Sequence, residues 1–306
     1  MNRASVVITS YNHKKYLIEA IESIIHQTVK VHEIIIADDH STDGSSEIMQ
    51  DYMARFPGWI KGVFQKENVG IPKNRNSGLL KVTGNYVSIL DGDDRFLPDN
   101  VEKMMERLEE APEVRCVYSN VRFIDPKGKP IRIRDQVQQP SGDIFYNISI
   151  GKFGILRSMF MDYTLLREVG LLDERFPRYD GFDLTVRLAK CCYFAYISQP
   201  LTEYRIHPSS DSKALKAIDH LRDLDGIYRK MLPLLEDLPN ENREEIKRVW
   251  RQMLLRFYVK DTIERGSKSK QFFLFLLSIF RGYSRLRNLP AEMKAINEML
   301  QESSKK

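Results

Sequence analysis

Four aspartates fall within fifteen residues in YVSILDGDDRFLPDN, residues 86–100. Three of them, Asp91, Asp93 and Asp94, close an apolar run. Carboxylates that near one another repel, so a cation or a proton must hold them. Side chains alternate along extended backbone, so Asp91 and Asp93 share a face, and Gly92 between them lets a ligand approach. Hard oxygen donors of this kind suit Mn²⁺ or Mg²⁺. A divalent ion held by few carboxylates keeps positions for phosphate oxygens. The chemistry this spacing supports is capture of a metal-bound diphosphate. A helix cap or a solvated turn is the plainer use of the same acids. Two more polar clusters follow apolar runs: Thr9-Ser10-Tyr11-Asn12 and Asp38-Asp39.

The elements that must position these clusters are legible in the pattern. VVIT (6–9), EIIIADD (33–39), IKGVFQ (60–65), YVSIL (86–90) and RCVYSNVRFI (115–124) read as strands. Between them, residues 14–27, 43–56 and 72–82 read as helices, and a fourth helix follows Pro98. Strand–helix alternation with short links predicts a parallel α/β sheet. Ligands of such sheets sit beyond the carboxyl ends of the strands, where all three polar clusters fall.

The chain has 306 residues, enough for one large domain or a domain with an appendage. No apolar run reaches the roughly 18 residues of a membrane span. MNRASVVITS leads directly into a strand, so no signal peptide is expected. The three cysteines, two of them adjacent, lack zinc spacing and suit a reducing cytoplasm. The net charge of +5 is uneven. Residues 211–306 carry 20 Lys and Arg against 14 Asp and Glu, which marks an organisational boundary near residue 210. Residues 213–303 read as helices. Residues 246–290 hold 11 basic and 2 acidic side chains around the aromatic run FFLFLLSIF (272–280). Such a segment suits peripheral contact with an anionic membrane; packing on the catalytic domain or on a second subunit is the other reading. No nucleic-acid-binding module accompanies it, so no nucleic-acid partner is expected.

VVITSYNHKKYLIEAIESIIHQT, IIIADDHSTDGS, NVGIPKNRNSGL, GNYVSILDGDDRFLPDNVEKM, VGLLDERF and YRIHPSSDS occur in this order. The series resembles the family 2 glycosyltransferases over about residues 3–212. The resemblance implies a GT-A type, Rossmann-like mixed sheet over residues 1–212, with residues 213–306 as a helical C-terminal region. It implies a metal-dependent, inverting transfer from a UDP-sugar donor to a glycan, lipid-linked or cell-envelope acceptor. Thr9 and Tyr11 then lie at the nucleobase, Asp39 at the uracil or its ribose, and Arg75 beside the nucleotide. Asp91 is expected near the ribose and Asp93 on the metal, with His207 lying against the metal and diphosphate.

One departure stands out. The family places its general base in a Glu-Asp pair before a helix, and here the segment is RYDGFDLTVRLAKCC. In that frame Asp180 falls on the Glu, and Gly181 falls on the usual base. Either Asp180 supplies the carboxylate from one position earlier, or the chain binds a sugar nucleotide without efficient transfer. Asp183 begins or caps the helix in this frame. On the acceptor side, Arg132, Arg134 and Arg157 are candidates for an anionic acceptor.

Overall fold

The computed structural model describes residues 3–111, 113–134, 139–151, 158–208 and 216–264. The first strand, β1 (Ala4–Ser10), is buried throughout. Its alternate side chains serve opposite faces of the sheet. Val7 packs with Ile35, Val87 and Ile89, while Val6 and Ile8 pack with Ile34, Ile36 and Leu90. Apolar runs without a polar face are what a sheet covered on both sides requires.

β2 (Glu33–Asp38), β3 (Ile60–Phe64) and β4 (Tyr86–Asp91) complete a parallel half in the order β3-β2-β1-β4. Beyond β4 the sheet stops being parallel. β8 (Met159–Asp162) runs antiparallel to both β4 and β6 (Val114–Ile124). β9 (Tyr193–Arg205) is parallel to β6, and the two-residue β5 (Arg95–Phe96) lies antiparallel on its far side. β7 (Pro130–Ile133) pairs with β6 off this path. Alternation alone predicts a parallel sheet; the sheet is mixed, as the family resemblance implies. The parallel expectation fails because β8 is only four residues long and belongs to no strand–helix repeat.

On one face, α1 (Lys14–Ile25), α2 (Ser45–Arg55) and α4 (Asn100–Glu110) cover the sheet through Leu17, Ile21, Met49, Met104 and Leu108. On the other face lie α3 (Ile71–Leu79), α5 (Phe145–Ser149), α6 (Tyr163–Glu168) and α7 (Asp180–Cys191). Gly78 brings α3 close to the sheet, since a Cβ there would sit 2.6 Å from Val7 Cγ1.

The C-terminal helices α8 (Ala217–Met231) and α9 (Asn240–Glu264) flank a 3₁₀ turn and share this second core cluster. Trp250 of α9 is fully buried, and its Nε1–H donates to the Ser149 carbonyl of α5 at 2.6 Å. The expected boundary at residue 212, Arg157, and most of the basic segment 246–290 lie outside the described residues. Among the described residues no helix is long and apolar enough to cross a membrane.

Candidate active site

The chain goes from β1 to β2 and β3 on one side, then returns to β4 on the other. The crevice between β1 and β4 is therefore the switch point where α/β sheets bind ligands. Thr9 stands opposite Asp91 in the β1–β4 register, and its Oγ1 donates to Asp91 Oδ1 at 3.0 Å. Ser10 stands opposite Asp38 on the other side. Tyr11 follows at the strand end and is 45% exposed, so its ring is open to a ligand.

The turn after β4 brings one carboxylate oxygen each from Asp91, Asp93 and Asp94 within 4.8 Å of one another. Gly92 permits the turn differently from the expectation. A Cβ there would meet Thr9 O and His13 Nδ1, both at 2.9 Å, so its missing side chain admits β1 and His13. Asp94 is buried, and its Oδ1 accepts the Arg205 N–H at 2.8 Å. The His207 ring reaches the same turn, with Nε2 2.9 Å from Asp93 Oδ2. Tyr16 also lies beside it, at 5.1 Å between ring centroids. Hard carboxylate oxygens beside an imidazole nitrogen form a donor set that suits a divalent ion.

Asp39 is buried at the end of β2. It accepts Val69 N–H at 2.7 Å and Gly70 N–H at 2.9 Å, holding the turn that enters α3. Each carboxylate oxygen has a second lone pair, so both bonds leave room for a ligand donor.

The middle of α3 carries three successive buried polar residues, and each reaches a different segment. Asn74 donates to Ala37 O of β2 at 2.9 Å. Arg75 donates from Nη2 to Asp91 Oδ1 at 2.6 Å and from Nη1 to Asp180 Oδ2 at 2.8 Å. Asn76 brackets Leu172, donating to its carbonyl and accepting from its N–H. Arg75 is 6% exposed. Burial pushes its pKa down, but the Asp180 and Asp91 charges outweigh that and raise it, so it stays a cation.

Asp180 lies in the first turn of α7, one residue past the N-cap position held by Tyr179. Asp180 is therefore a first-turn residue and not the helix cap. Its Oδ1 accepts the Gly181 N–H at 2.8 Å, and its Oδ2 faces Arg75. Asp183 is committed elsewhere, ion-paired to Arg187 and Lys230, both at 2.8 Å. Side chains of α8 grip this end of α7 from outside. Asp223 accepts Arg178 N–H at 3.2 Å, and His220 Nδ1 lies 2.8 Å from Tyr179 Oη. Arg132 of β7 stacks on Phe123 at 4.0 Å, and Arg134 follows β7. No described contact joins either arginine to Asp180.

Sequence reasoning missed Arg205, which has no exposed surface. Its Nε donates to Asp93 O at 2.9 Å, its Nη2 to Glu19 Oε2 at 2.7 Å, and its guanidinium lies 4.6 Å over Tyr16. The available signal was the alternation Glu203, Arg205, His207, which puts three polar side chains on one face as β9 ends. Glu203 is buried as well, paired with Arg95 and Arg122.

The pattern of glycosyl transferase family 2 matches residues 5–167. An uncharacterized glycosyltransferase of Methanocaldococcus jannaschii is 30% identical over 211 residues, 68% of this chain and 72% of that protein. Chondroitin synthase of Escherichia coli is 35% identical over 127 residues, which is 42% of this chain but only 18% of the synthase. The crystal structure of Staphylococcus aureus TarS residues 1–349 in complex with UDP-GlcNAc superimposes with a TM-score of 0.64 at 18% identity. That match covers 98% of this chain and 81% of that one. At that identity the likeness is one of fold.

Proposed function

The chain belongs to glycosyl transferase family 2, with that family's GT-A type fold, and we propose that it moves a sugar from a UDP-sugar to an acceptor hydroxyl with inversion. The observation that carries this reading is the reach of one guanidinium. Arg75 contacts Asp91 on the donor side and Asp180 on the far side, so a carboxylate stands one side chain away from the diphosphate crevice. One relative is named a chondroitin synthase, another a putative teichuronic acid biosynthesis glycosyltransferase, and a structural neighbour is solved with UDP-GlcNAc, which supports a glycan, lipid-linked or other cell-envelope acceptor.

In this reading Tyr11 stacks on the uracil, Asp39 accepts from its N–H, and Asp91 faces the ribose. Asp93 and His207 would hold Mn²⁺ or Mg²⁺. When bound, the ion neutralises charge on the departing diphosphate. Asp180 takes the acceptor's hydroxyl proton as that oxygen attacks the anomeric carbon. The bond from that carbon to the diphosphate oxygen breaks, and its electron pair leaves on UDP. Attack from the side opposite the leaving group inverts the anomeric centre.

One observation favours a second reading, donor binding without efficient transfer. Both oxygens of Asp180 already accept hydrogen bonds, and Gly181 stands where the family's usual base belongs. A panel of nucleotide sugars tested by thermal shift, with and without Mn²⁺, addresses the donor side. Stabilisation by UDP-sugars alone is expected; equal stabilisation by every nucleotide, or by none, would contradict it.

A further inference from the structure

We propose that Arg75 is a positioning residue that frees Asp180 only when the donor is bound. This rests on Asp180 being the base. The guanidinium is shared between two acids from different elements, at 2.6 Å and 2.8 Å, and its Nε is buried with no hydrogen-bond partner among the described residues. One buried cation therefore faces two anions. The guanidinium occupies Asp180 Oδ2, the oxygen an acceptor hydroxyl would need, so Asp180 is restrained in the free protein.

A nucleoside diphosphate arriving beside Asp91 brings more negative charge to the same guanidinium. As Arg75 turns toward the diphosphate, its hold on Asp180 Oδ2 weakens, and that oxygen becomes available to the acceptor hydroxyl. Proton abstraction then waits for the donor. The brace between α3 and the segment entering α7 does not need Arg75, because Asn76 grips Leu172 through both amide atoms. Coupling of this kind is reciprocal: if the donor loosens the Arg75–Asp180 pair, the pair must weaken donor binding by the same factor.

Calorimetric titration of UDP with Mn²⁺ into the full chain tests this. Asp180→Asn removes the competing charge and should tighten UDP by about fivefold or more. In an Arg75→Lys background the same change should have little effect, because an ammonium is a point donor that does not fork across two carboxylates. Lysine keeps the buried charge, and a melting curve confirms that each variant is folded. An unchanged or weaker UDP affinity in Asp180→Asn would overturn the proposal. So would equal tightening in both backgrounds. Wild-type transfer by Asp180→Asn would instead remove the base assignment, which the binding cycle does not measure.

Discussion

Replacing Trp250 by alanine should destabilise the fold by about 3–5 kcal/mol, the range for deleting a large buried aromatic. The indole touches three elements. It stacks on Tyr228 of α8 at 5.5 Å and tilts against Phe182 of α7 at 5.8 Å. Its N–H serves the Ser149 carbonyl of α5. Alanine leaves a cavity at that junction and a buried carbonyl without its donor. In a chain of this size each kcal/mol lowers Tm by roughly 2–4 °C, so a drop of about 6–20 °C is expected. Trp250→Phe keeps most of the ring and loses the N–H, which should cost about 1–3 kcal/mol. Thermal melting followed by circular dichroism reads both. A Trp250→Ala chain melting within about 2 °C of wild type would refute this reasoning. α9 would then be an appendage, free for a membrane or a second subunit.

Asp93→Ala should abolish Mn²⁺-dependent UDP binding and leave the melting temperature nearly unchanged; UDP affinity that survives in the presence of Mn²⁺ would remove Asp93 from the metal. Tyr11→Ala should weaken UDP by about 1–3 kcal/mol if the ring stacks on the base, and a change within assay scatter would place the ring elsewhere. Glu33 gives a pH dependence. Burial pushes its carboxyl up, but hydrogen bonds from Lys61, Thr83 and Ser5 outweigh that and hold its pKa at about 2, against an ordinary 4.5. Because the folded pKa is depressed, its stabilisation is complete above 4.5 and disappears as pH falls through 2. Glu33→Gln should lower stability at neutral pH and flatten the fall of Tm across that window. An acid limb identical to wild type would show that Glu33 contributes nothing there.

The parallel half of the sheet was legible because each of its strands is a short β-branched run followed by an amphipathic helix. The three polar clusters were legible because each directly follows an apolar run, at the carboxyl end of a strand. β8 was not legible, since four residues carry no period to count. α3 was recognised by its opening proline, yet the roles of Asn74, Arg75 and Asn76 escape any hydrophobic pattern, because the face they bury is polar. Arg205 escaped for a related reason. Arginine is rarely buried, and what permits it here is Glu19 and the Asp93 carbonyl, 186 and 112 residues away in sequence. The departure at Gly181 was visible in the sequence, whereas the Arg75–Asp180 ion pair joins residues 105 apart in sequence and shows only in the folded chain.

Single-turnover transfer by Asp180→Asn, with a UDP-sugar and its cognate acceptor, bears on the catalytic assignment most directly. Asparagine matches aspartate in size and keeps one acceptor oxygen for the Gly181 N–H, so the fold should persist and donor binding should not weaken. The transfer rate should fall by about 10²–10⁴-fold, the usual weight of general base catalysis. Transfer at the wild-type rate would contradict the assignment and show that the acceptor proton leaves by another route.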